Sequence, residues 1–134
     1  MPTLCASPQT ASSGLIDATR YHRLTSMQAP VELLPEVVRG YGQSAYAVVS
    51  DPAGPPRVTH VMPTFIGVTL TFGLGRTSCA LLKANPHFSV LWPAAHASTM
   101  SLIVDADVLG VAADGTVTVR AAAAVRHRPA HDDG

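Results

Sequence analysis

From Ala45 to His127 the chain alternates apolar and polar residues with a period of two, and that period belongs to strands, not helices. AYAVVSD (45–51) and RVTHVMPTF (57–65) flank PAGPP, whose prolines and glycine suit a turn, so together they predict a first hairpin. In VTLTFGL (68–74), Val68, Leu70, Phe72 and Leu74 fall on one face and Thr69, Thr71 and Gly73 on the other. HFSVLW (87–92) repeats the pattern with Phe88, Val90 and Trp92. MSLIVDADVLGV (100–111) is apolar on both sides, which predicts a strand covered twice. Ala113, Asp114 and Gly115 read as the turn into TVTVRAAAAVRHR, where Val117, Val119, Ala121, Ala123 and Val125 share a face. The alternation yields six strands.

Two stretches read as helices instead. In APVELLPEVVRGYG (29–42), Val31, Leu34 and Val38 lie on one helical face, with Arg39 in the last turn and Gly40 as a stop. In GLGRTSCALLKANP (73–86), Thr77 or Ser78 is placed to cap a helix of about two turns, with Leu81 and Leu82 inward and an end at Asn85 before Pro86. Six antiparallel strands with a short helix between the third and fourth predict a barrel, because closure removes exposed edges. Residues 1–28, rich in Ser, Thr, Ala and Pro without periodicity, read as a flexible arm. Residues 29–128 form the barrel domain and 129–134 a tail.

Composition bears on partners. The chain is 47% hydrophobic and 13% charged, too little charge to cover a 134-residue monomer without leaving apolar patches. A buried interface, with a second copy as partner, is the expectation. Nine basic residues balance nine acidic ones, so the overall field suits neither duplex DNA nor an anionic membrane surface. Cys5 and Cys79 make no C-x-x-C pair, no basic-apolar leader opens the chain, and no window approaches the roughly 18 apolar residues of a membrane span. A cytoplasmic setting is expected.

The stretch F-G-L-G-R-T-S (72–78) carries the most chemistry. Gly73 and Gly75 let the backbone turn closely, Arg76 supplies a forked cation, and Thr77 and Ser78 bring hydroxyls and amides at a helix start, which is the physics of a phosphate cradle. The same residues serve equally well as a tight loop with a helix cap. Arg57, opening the second strand, can reach the same phosphate or end in solvent. Elsewhere the bland readings win. Cys79 is a small buried side chain without a placed partner, and Asp105 and Asp107 point to solvent or an interface. His127 and His131 are separated by Pro129 and read as a tail, so no metal is expected.

The order RVTHVMP, then VTLTFGLGRTS, then a helix ending in LLKANP, then HFSVLWP, resembles the pyridoxamine 5'-phosphate oxidase-like family of split barrels over about residues 35–127. The resemblance implies a six-stranded antiparallel split β-barrel, a homodimer, and flavin mononucleotide (FMN) or the deazaflavin F420 lying between subunits. It implies that Arg57, Val58, Thr59 and His60 line the cofactor, that Phe72 and Gly73 flank its ring, and that Arg76, Thr77 and Ser78 hold its phosphate. The chain departs from many flavin-binding members at Met62, Ser78 and Met100, and it lacks the C-terminal segment of the true pyridoxamine phosphate oxidases. The implied function is hydride transfer to a small-molecule substrate through FMN. The alternatives are an F420-dependent reductase or a flavin- or haem-binding protein without turnover. One lysine and eight arginines in the whole chain tilt the reading toward FMN over the more acidic F420.

Overall fold

The structure, a computed structural model, describes residues 26–94 and 100–129. In chain order it contains β1 (Ser26–Ala29), a single 3-10 turn (Val31–Leu33) running into α1 (Leu34–Arg39), β2 (Ala45–Val49), β3 (Arg57–Val61), β4 (Thr64–Ile66), β5 (Thr69–Gly73), α2 (Arg76–Ala84), β6 (His87–Trp92), β7 (Ser101–Val111) and β8 (Thr116–His127). The strands form one antiparallel sheet in the order β3-β2-β6-β7-β8-β5-β4, with β1 also paired to β8. The mostly β, curled architecture expected from the alternation is what the chain adopts. No helix among the described residues is long and apolar enough to cross a membrane.

Among the described residues there are eight strands and not six, for two physical reasons. RVTHVMPTF is two strands because Pro63 has no N–H to give a ladder, so pairing stops at Val61 and restarts at Thr64. Ser26–Gln28, expected in the arm, belong to β1 and pair with Val125, Arg126 and His127. Residues 1–25 of that arm, and all but Pro129 of the expected tail, lie outside the described residues.

Curling follows from connectivity alone. β3 and β4 stand at opposite ends of the strand order, yet only Met62 and Pro63 separate them. Three Cα steps reach at most about 11 Å, whereas a flat path of seven strands would hold its outer members roughly 29 Å apart. The sheet therefore bends until its two edges approach. β3 and β4 do not pair with each other, and the barrel is split there.

Two bulges in the β7–β8 ladder supply part of the bend. Val108 pairs with Val119 and Gly110 with Thr118, which leaves Leu109 as the extra residue. Asp105 pairs with Ala123 and Ala106 with Ala121, which leaves Ala122 as the other. The second bulge corrects the sequence reading, because it reverses which face each later residue takes. Val117, Val119 and Ala121 are buried as expected, but beyond the bulge the buried residue is Ala124, while Ala123 and Val125 turn outward. β7 departs from expectation as well. Leu102, Val104 and Ala106 are buried, but Ile103 is only half-buried and Asp105 exposed, so this chain covers the strand on one face.

Inside the curl, Leu70, Trp92, Leu102 and Val119 are fully buried, and Leu34 of α1 and Leu82 of α2 close the core. Each such side chain contributes about 1.5–3 kcal/mol by leaving water. The indole Nε1 of Trp92 is buried with no partner among the described residues.

The hairpin turn between β7 and β8 packs on the loop before α2. Leu74 N–H donates to the Gly115 carbonyl at 2.9 Å, and the Cys79 thiol donates weakly to the Leu74 carbonyl at 3.6 Å. Gly115 has φ +94°, and a Cβ there would lie 2.7 Å from the Leu74 carbonyl oxygen. Gly115→Ala is therefore expected to destabilise the protein by about 1–3 kcal/mol through backbone strain and displacement of Leu74. Leu102→Ala is expected to cost about 2–5 kcal/mol as a core cavity. Urea unfolding of both variants beside an exposed control, Ile66→Thr, checks both; a midpoint for either that matches the control overturns that account.

Candidate functional site

α2 forms where Gly75 ends the extended backbone. The helix begins at Arg76, and its first intrahelical bond runs from Cys79 N–H to the Gly75 carbonyl at 3.0 Å. The sequence placed the cap at Thr77 or Ser78. The structure puts both inside the first turn, with Gly75 at the cap position and no side chain capping it. The amides of Arg76, Thr77 and Ser78 thus precede the intrahelical ladder, at the positive end of the helix. A Cβ on Gly75 would meet nothing within 4 Å, so the backbone stands open on this side.

That opening is one end of a cleft of about 470 Å³. Gly75, Arg76, Thr77 and Ser78 form one wall, and Arg57, Val58 and Thr59 at the start of β3 form the other, with Asp51, Pro55 and Pro56 between them. Thus two segments far apart in the chain line one cleft. Arg76 and Thr77 are exposed; Ser78 is buried.

The electrostatics favour an anion. Two guanidinium groups line the cleft against one carboxylate. Asp51 is already engaged: its Oδ1 accepts the Ala53 N–H at 2.9 Å, and its Oδ2 stands 3.9 Å from Arg57 Nη1. An ion pair that long and partly exposed binds Arg57 weakly, so its remaining donors face the cleft at little cost. Sequence reasoning missed Asp51 as part of the site. The signal was local, since Asp followed by Pro-Ala-Gly is a side-chain-stabilised turn.

Three sequence-predicted residues lie elsewhere. His60 is exposed on the outer face of β3, with Nε2 3.1 Å from Ser44 Oγ and its ring 5.3 Å from Tyr46. Phe72 is buried, with its ring 6.0 Å from Phe88 in an edge contact, and is not among the residues lining the cleft. Gly73 ends β5 two residues before the cleft, exposed and with open space beside it.

Strand pairing places His60, Tyr46, Leu91, Ile103 and Val125 in one row across β3, β2, β6, β7 and β8 on the outer face. Val58, beside this row and also lining the cleft, is 62% exposed, and Tyr46 is 36% exposed. The cleft therefore opens at one side onto an apolar and aromatic surface. A ligand with an anionic end and a flat apolar body matches both parts.

No family model and no curated protein matches the chain. Solved structures do. An F420 reductase aligns with TM-score 0.55 at 19% identity, covering 66% of this chain and 94% of its own. A candidate pyridoxamine 5'-phosphate oxidase from Listeria innocua aligns with TM-score 0.51 at 14% identity, covering 69% and 94% respectively. An FAD-binding protein from Mesorhizobium loti aligns with TM-score 0.52 at 13% identity, covering 78% and 98%. At such identities the likeness is one of fold. The chain has the fold of the pyridoxamine 5'-phosphate oxidase-like flavin and deazaflavin barrels.

Proposed function

We propose that the chain is an oxidoreductase of the flavin or deazaflavin type, with the cofactor's phosphate held in the cleft between β3 and α2. The observation that carries this reading is the convergence of Arg57 and Arg76 with the uncapped amides of α2 in one cleft beside an exposed apolar strand face. The residues fit the group. A phosphate dianion matches two guanidinium groups and a helix N-terminus, and the bare backbone at Gly75 admits close approach. A flavin-type ring fits the row through His60 and Tyr46. When bound, such a cofactor supplies the hydride chemistry, and the protein orients it and sets its surroundings. The ionisable groups lining the cleft are Arg57, Arg76 and Asp51, and Asp51 is held by its own turn and by Arg57. The chain's contribution is thus binding and positioning.

A second copy of the chain is the proposed cover for the outer row. Half-buried Leu91 and Ile103, with exposed Tyr46 and Val58, form an apolar surface that one chain leaves to water. A homodimer buries it and encloses the ring next to it, with the substrate reaching the exposed edge. The unpaired Cys79 suits a reducing, cytosolic compartment.

A second reading, cofactor binding without turnover, draws on the same cleft, because none of its free groups is placed to move a proton. Reduction of a bound cofactor by a nicotinamide or deazaflavin donor, followed by reoxidation by an acceptor, separates the two.

Two outcomes are expected. In fluorescence-quench titration, Arg76→Ala loses at least tenfold in affinity for the phosphate-bearing cofactor while its melting temperature stays near wild type, because the change removes a charge-assisted contact and no core packing. Unchanged affinity refutes the cradle. In sedimentation equilibrium the wild type runs at twice its 14.0 kDa chain mass and Tyr46→Glu dissociates. A monomeric wild type refutes the second-copy cover.

A further inference from the structure

None of the free groups in the cleft between β3 and α2 is placed to move a proton, but the strand row beside it carries one that is. His60 stands two residues beyond Val58 on the same side of β3, so a ligand running from the cleft along the exposed strand face meets the imidazole about 7 Å past Val58. The imidazole has two neighbours. Ser44 Oγ lies 3.1 Å from Nε2, and the Tyr46 ring packs 5.3 Å away. A hydroxyl both donates and accepts, so Ser44 satisfies Nε2 whether or not that nitrogen carries a proton. His87 differs, because its Nδ1 meets Asp107 Oδ1 at 2.7 Å and an ionised carboxylate only accepts. His60 can therefore change its charge without losing its hydrogen bond.

Few charges compete for it. Arg57, three residues back on β3, falls on the other side of the strand. From β2 the facing groups are Ser44 and the Tyr46 phenol, and no carboxylate among the described residues pairs with the imidazole. The first carboxylate along the neighbouring row, Asp105, stands three strands away, roughly 14 Å, farther than the Debye length of about 8 Å in physiological salt. β3 is also the last strand of the sheet order, so His60 lies exposed at an edge that water and substrate reach, while Leu91 and Ile103 farther in are half-buried.

We infer, resting on the function proposed above, that His60 is the redox-linked proton acceptor of the site and that Ser44 is its positioning residue. A nicotinamide hydride delivers two electrons and one proton to the bound ring, and the oxidised nicotinamide carries away the positive charge. The site is left one negative charge richer, and His60 takes a second proton from solvent to balance it. By linkage, protonated His60 favours the reduced cofactor by the same factor as the reduced cofactor favours protonated His60. The chain thereby sets the cofactor's potential as well as its position.

The test is potentiometric titration of the protein loaded with whichever of FMN and F420 it binds, from about pH 5.5 to about pH 8.5, the range in which free imidazole side chains titrate. The wild-type midpoint is expected to fall with pH by up to one proton more per two electrons than that of His60→Gln, which keeps a hydrogen-bonding side chain and cannot titrate. Over the same range the preference for reduced over oxidised cofactor should drop at least tenfold more in the wild type than in this variant. Ser44→Ala, which releases the imidazole, is expected to shrink the difference, and Ser44→Thr, which keeps the hydroxyl, to restore it, with the thermal melts of all three matching the wild type. Identical pH profiles for the wild type and His60→Gln overturn the inference and leave the phosphate cradle standing. A profile altered by His60→Gln and unmoved by Ser44→Ala overturns the part given to Ser44. Failure of both cofactors to bind overturns the proposed function, and this inference with it.

Discussion

The antiparallel ladder between β7 and β8 is the interaction on which the rest depends. β8 is twelve residues long, pairs with β7 along one edge, and on the other carries β5 beside its first half and β1 beside its last. Every sheet path between the two halves of the barrel passes through it. The site inherits its position from this ladder. β5 hangs on β8 from Thr69 to Gly73, and the next two residues, Leu74 and Gly75, lead into α2. Through the Leu74 amide and the Gly115 carbonyl, the turn that opens β8 also fixes the loop that opens α2. The cleft is thus referenced to one strand, although Arg57 comes from the opposite edge of the sheet.

Stability and binding are divided between different parts of the molecule. The side chains with no exposure, such as Trp92, Leu70 and Val104, stand on the inner face of the sheet, where each is worth a few kcal/mol. Arg57, at the start of β3, and Arg76, Thr77 and Lys83, on α2, are exposed. The partly exposed Arg57–Asp51 pair is worth about 1 kcal/mol or less. Ligand contacts can therefore change without unfolding the barrel. Asp51 sits between these roles, because it shapes a turn through Ala53 and restrains Arg57 at once.

Much of this was legible in the chain. HFSVLW and the hairpin around PAGPP were readable because apolar and polar residues contrast at every step. The alanine run at 121–124 gives no such contrast, so the bulge at Ala122, and with it the face of Ala123 and Val125, could not be seen. Pro63 was in view, but an X-Pro step can end a strand or merely sit on its edge, and only the pairing of β4 with β5 decides. For the site, Arg57 and the 75–78 loop were found as separate motifs, and only the family-like order brought them together. Phe72 falls on the inner face, where the clean alternation also places it.

The first and last residues of the sheet are cross-strand partners, Ser26 with His127. A force pulling the chain apart at these two points does not load the β1–β8 ladder in parallel; it peels it from its end, one pair at a time. β1 is only four residues long, so such a pull would strip it and meet resistance at the seven-strand path beneath. The sheet is mechanically weak at this β1–β8 pairing, which the strands that frame the cleft do not need, since β5 and β7 hold β8 without β1.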